Sequence, residues 1–152
     1  MSTLTRVRLW LALFVAGLVV SGVTAFPLEA ETRLLARTLD GYWFDRVAEG
    51  VAQTNLDYPF MAYGTDWLAF AHLVIAVAFW GPIRDPVRNV WVVHWGMISC
   101  AAVVPLALIA GTVRGIPWGW RLIDISFGVI GIVPLLFALR GIRELARHSP
   151  PE

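Results

Sequence analysis

The chain has 152 residues, 58% of them apolar and 15% charged, with a mean hydropathy of +0.68 and a formal net charge of +1. A soluble domain of this length needs a polar exterior over the surface it leaves exposed; this composition cannot supply one, so the chain belongs in a membrane. The near-neutral charge speaks against nucleic acid as a partner. A single cysteine excludes an internal disulfide, and no CxxC or Cys/His cluster offers a zinc or haem-attachment site.

Charge-free runs mark the spans, because an ionised side chain at the bilayer centre costs at least about 2.5 kcal/mol. They predict an all-α integral membrane protein in which four transmembrane helices form a bundle. The spans lie over about 9–28, 67–83, 89–113 and 122–139 of a single membrane domain, 1–152. The first run follows Arg6 and Arg8 and reaches Val23-Thr24-Ala25, the layout of a signal peptide. It exceeds an ordinary signal-peptide core, which favours a retained span.

Between the first two spans, Pro27 suits a helix start, and Glu29 and Glu31 suit a first turn against the macrodipole. Leu28, Leu35 and Leu39 recur at near-helical spacing. After Gly41, a second stripe of Phe44, Val47, Ala48 and Val51 lies opposite Asp45, Arg46 and Glu49. The pattern predicts an extracytoplasmic amphipathic helical hairpin over about 28–54, lying on the membrane or capping the bundle, with 55–65 as irregular chain.

The second span is near the lower length limit. The fourth is charge-free only over 125–139 and reaches spanning length if Leu122, Ile123 and Asp124 enter the membrane. Pro105 and Pro134 interrupt the last two spans, and either kink them or are tolerated where neighbours satisfy the freed carbonyls. Small residues should let helices approach in lipid. The expected ridges are Ala12, Ala16, Gly17 and Ser21 in the first span, Gly96, Ser99, Cys100 and Ala101 in the third, and Gly128 and Gly131 in the fourth.

All twelve basic residues are arginine. Arg6, Arg8, Arg84, Arg88, Arg140, Arg143 and Arg147 fall on one side of the spans, while the arginines of the other side are diluted by acids from Glu29 to Asp124. The positive-inside rule then puts both termini in the cytoplasm. Tryptophan agrees, with Trp10, Trp80, Trp91 and Trp95 at the inner boundary and Trp43, Trp67, Trp118 and Trp120 at the outer one. Arginine without lysine, beside abundant alanine, glycine and valine, is a composition associated with GC-rich bacterial genomes, so the membrane expected is the inner one.

Five groups in or near the hydrocarbon can carry chemistry: Asp66, His72, His94, Arg121 and Asp124. Asp66 is either an interfacial cap of the second span or part of a site. An imidazole at His72 is costly against lipid and needs a partner within the bundle. His94, between Trp91 and Trp95, fits an interfacial anchor. Arg121 and Asp124, three apart, can pair on one helix face. In the functional version, Asp66, His72 and Asp124 converge in the outer half with Arg121 neutralising one acid and Glu29 joining them, a cluster able to relay protons or bind a polar headgroup.

Three functions follow. The first is binding, with or without conversion, of a lipid-, sterol- or quinone-like amphiphile at that cluster. In layout, a span, an outer amphipathic hairpin and three further spans, the chain resembles the emopamil-binding-type sterol isomerase and sigma-2 receptor family, with no motif residue carried over. The second is an assembly subunit, as a homodimer or in a membrane complex. The third is haem b held by His72 and His94, weakened by their unequal depth; no other cofactor or metal is expected. No P-loop, GxGxxG, HExxH or GxSxG motif is present.

Overall fold

The computed structural model describes residues 1–148, which are 88% helical and contain no strand. In chain order the helices are α1 (Thr3–Ala25), α2 (Leu28–Thr38), α3 (Tyr42–Asp57), α4 (Ala62–Ala78), α5 (Trp80–Arg84), α6 (Val90–Val113) and α7 (Trp118–His148), with a 3-10 turn over Pro59–Met61 ahead of α4. Among the described residues four stretches are long and apolar enough to cross a membrane, Thr3–Ala25, Pro59–Arg84, Val90–Val113 and Trp118–Arg147. The protein is thus a multi-pass, membrane-embedded chain. The helices outrun the charge-free runs. The short fourth run is the middle of a 31-residue helix, and α6 and α7 continue through Pro105 and Pro134.

The described residues divide into two compact units, one of Met1–Gly17 with 78–148, the other Leu18–Val77. In the first unit α6 and α7 pack along their length through glycine notches. A β-carbon on Gly128 would strike the backbone carbonyl oxygen of Cys100, and one on Gly131 would lie 3.2 Å from the Cys100 sulfur. Gly96 receives the buried Phe79 ring, whose tip is 2.7 Å from where a β-carbon would stand. Backbones that approach this closely gain dispersion contacts, the force left to helices when the solvent is lipid.

The turn between α6 and α7 is closed by its own chemistry. Gly115 takes φ +67°, a left-handed conformation that suits glycine. Its N–H donates to the Thr112 carbonyl, and the Ile116 N–H donates to Gly111 at 2.9 Å, a complete Schellman closure. Pro117 then accepts from Trp120 and Arg121 at the start of α7.

The small-residue ridge expected on α1 is not its packing face. Ala12, Ala16, Gly17 and Ser21 are exposed, and Gly17 has nothing within 4 Å. In the first unit α1 packs instead through Val7, Leu11 and Phe14, because the notches lie on its partners: Val7 seats on Gly141, and Phe14 lies against Gly131 and tilts on Phe79 at 4.8 Å. Ser99 and Ala101 likewise point away from the α6–α7 contact, and the Ser99 hydroxyl returns to its own helix at the Trp95 carbonyl.

In the second unit α2 and α3 fold back on one another across Leu39–Gly41. Thr32 and Ala48 are the buried side chains of the pair, and Thr32 satisfies its hydroxyl by donating to Leu28 at 2.9 Å. Asp45, Arg46 and Glu49 are exposed while Phe44, Val47 and Ala48 turn inward. The end of α1 meets α4 at Gly22, where a β-carbon would stand 2.9 Å from the Ala69 carbonyl and 3.1 Å from the His72 β-carbon.

Candidate functional site

The second unit holds a cleft of about 740 Å³. Its walls come from the Phe26-Pro27 turn, the first turns of α2, the last turns of α3 and the start of α4. Most of the lining is apolar, with Phe26, Leu28, Val47, Val51 and Met61 among it; Thr54, Thr65 and one charged group interrupt it.

That group is built around Glu29. Its place in the first turn of α2 is the favoured end of the helix dipole for a carboxylate. One carboxylate oxygen is ion-paired with Arg33, one turn along the same helix, and the other accepts from the Asn55 side-chain amide at 2.7 Å. Asn55 comes from α3, twenty-six residues away, so this bond ties the two arms of the hairpin together across the cleft. Glu29 is 31% exposed and Arg33 56%, which leaves both open to a further partner. The two formal charges cancel, and what remains on offer is one acceptor and several guanidinium donors side by side.

Phe26 also lines a neighbouring pocket of about 280 Å³ with Tyr63, Asp66, Trp67 and Phe70. Here the rings stack edge to face, Trp67 lying 6.0 Å from both Tyr63 and Phe70. Asp66 therefore sits among aromatic rings in the second turn of α4 and is not its cap. Pro59 opens a 3-10 turn that starts the helix at Ala62, four residues before the carboxylate.

His72 lies deeper on α4. Its Nδ1 donates to the Leu68 carbonyl at 2.8 Å, because a carbonyl only accepts. The partner expected across the bundle is therefore supplied by its own helix, and in the neutral ring Nε2 stays an acceptor.

Arg121 and Asp124 belong to the first unit, as does His94, which is exposed on α6 beside Trp91 and Trp95. Arg121 is not paired with Asp124. It turns back toward α6, donating from Nε to the Ile116 carbonyl at 2.7 Å and from a terminal nitrogen to the Thr112 hydroxyl at 2.8 Å. Gly111 makes room for it, since a β-carbon there would be 2.8 Å from the arginine stem, and the guanidinium lies 5.6 Å from the Trp118 ring. The turn carbonyl of Ile116 and the Thr112 hydroxyl take the guanidinium in place of the acid three residues along.

Within one unit, then, Glu29, Asp66 and His72 lie near the hairpin and α4, and Glu29 and Asp66 each line a pocket. Arg33 and Asn55 were missed. The i, i+4 spacing of Glu29 and Arg33 is readable as a helical pair, but the sequence reads Asn55 as irregular chain, whereas α3 runs on to Asp57. No three His, Cys, Asp or Glu side chains gather into a metal site among the described residues. No family model, curated protein or solved structure matches the chain, so the resemblance to the sterol isomerase layout stays one of layout and the function is argued from these residues.

Proposed function

We propose that this protein is a multi-pass component of the bacterial inner membrane, both termini cytoplasmic, which takes a lipid-, sterol- or quinone-like amphiphile into the cleft between the α2–α3 hairpin and α4 on the extracytoplasmic side. The observation that carries the reading is the Glu29, Arg33 and Asn55 group standing on a mostly apolar wall. An apolar cavity with a few convergent polar groups is the usual form of a small-molecule site. The volume suits an alkyl or ring body, and the charge-balanced pair suits a head that is neutral or zwitterionic over one that is simply anionic. Asp66 and its aromatic pocket extend the same wall.

Native mass spectrometry of the protein in mild detergent tests this. The wild type is expected to carry a reproducible added mass, retained roughly tenfold less by Glu29→Ala, since hydrogen bonds to a charged group contribute on the order of 1.5 kcal/mol. Equal retention by both would refute the reading.

A second reading, an assembly subunit, draws on the apolar side chains the hairpin region leaves exposed, Leu34 at 60%, Tyr42 at 73% and Leu56 at 78%. In the same spectrum it predicts bare protein with another polypeptide attached.

A further inference from the structure

At one end of the first unit the fold gathers arginines from three parts of the chain. Arg8 of α1 reaches the end of α5, donating to the carbonyls of Ile83 at 3.0 Å and Arg84 at 3.4 Å. Val7 seats on Gly141, which brings the start of α1 against α7 near Arg140 and Arg143. Trp10 stacks on Phe137 at 4.7 Å, and Arg140 lies over the same ring at 5.6 Å. Arg84 and Arg88 flank the short turn into α6. All of these guanidinium groups are exposed.

Two acids lie beside them in the chain, Asp85 and Glu144, and among the described residues neither forms an ion pair with any of these arginines. Asp85 uses its carboxylate to accept the Arg88 backbone N–H at 3.2 Å, closing the turn. Arg8, Arg84, Arg88, Arg140 and Arg143 make no ion pair among the described residues. Five exposed guanidinium groups against two carboxylates leave this end of the unit positive, and such a surface attracts anions from outside the chain.

We infer that this end of the first unit is a binding surface for anionic phospholipid headgroups. The same end carries exposed Trp80 at 66% and Trp91 at 65%, each beside the arginines at the limit of an apolar helix. Indole at a helix end marks headgroup depth, so the guanidinium groups stand where lipid phosphates stand. Arg8 adds specificity to plain attraction. Two of its donors are fixed on the α5 carbonyls, and the exposed guanidinium held there keeps further N–H donors for a headgroup.

The test uses the full chain in nanodiscs of phosphatidylcholine and phosphatidylglycerol in equal amounts, with retained lipids counted by native mass spectrometry after release. The wild type is expected to keep phosphatidylglycerol in excess. Each arginine removed should lower the excess about fivefold, so that the triple variant Arg84→Gln/Arg88→Gln/Arg143→Gln loses roughly a hundredfold and with it the preference. Arg37→Gln/Arg46→Gln/Arg114→Gln removes the same charge elsewhere and should keep the preference, with helix content by circular dichroism checked in both. The inference is overturned if the first triple variant retains the preference, if the control loses it equally, or if inorganic phosphate strips the lipid and so identifies a site for the free ion.

Discussion

The two units use different means to bury their side chains. In the first, bulky residues fill glycine notches: Phe79, Leu11, Leu135, Val7 and Val93 are all essentially inaccessible. In the second, the buried side chains are Thr32, Ala48, Ala69 and Ala76, none larger than threonine. Small residues meeting small residues bring backbones close at single points, as at Gly22, but do not fill the space between those points. The 740 Å³ cleft is what is left over. Dense packing marks the part of this molecule that holds shape, and sparse packing marks the part with room for something else.

Substitutions can break that contrast. The largest effect is expected from Phe79→Ala, which empties a fully buried ring site among Phe14, Gly96 and Leu135 and should cost about 3 kcal/mol in reversible unfolding in mixed micelles. Next comes Gly128→Val, which drives a side chain onto the Cys100 backbone; at about 2 kcal/mol it is read in the same titration. The smallest belongs to the second unit, where Arg33→Gln breaks a partly exposed pair and should shift stability by less than about 0.5 kcal/mol. If Phe79→Ala proved as mild as Arg33→Gln, the division into a packed and an open unit would fall.

The four membrane-spanning stretches and their helical nature are legible in the sequence, because charge exclusion from lipid is a strong constraint written one residue at a time, whereas the break of the second span into α4 and α5 is not. Glu29 and Asp66 were readable for the same reason, as acids at the edges of apolar runs. The rest depended on competition between partners. Nothing local says that Arg121 prefers the carbonyl of Ile116 and the hydroxyl of Thr112 to the carboxylate of Asp124, since the outcome turns on how α6 ends and on the room above Gly111. Asn55 was lost because its role lies in a bond to α2 and not in its neighbours, and the α1 ridge was misplaced because the complementary notches are on other helices.

The bonds from Arg8 to Ile83 and Arg84, and the seat of Val7 on Gly141, also bear on the order in which the protein is made. Helix α1 is synthesised long before either partner. At typical translation rates its lower turns wait on the order of ten seconds for α7. During that interval Val7 and Leu11 face lipid, which suits them, while the Arg8 guanidinium must rely on water and headgroups. Helix α1 is thus locked only after α5 and α7 have followed it, and a chain interrupted before α5 leaves it without its protein anchor.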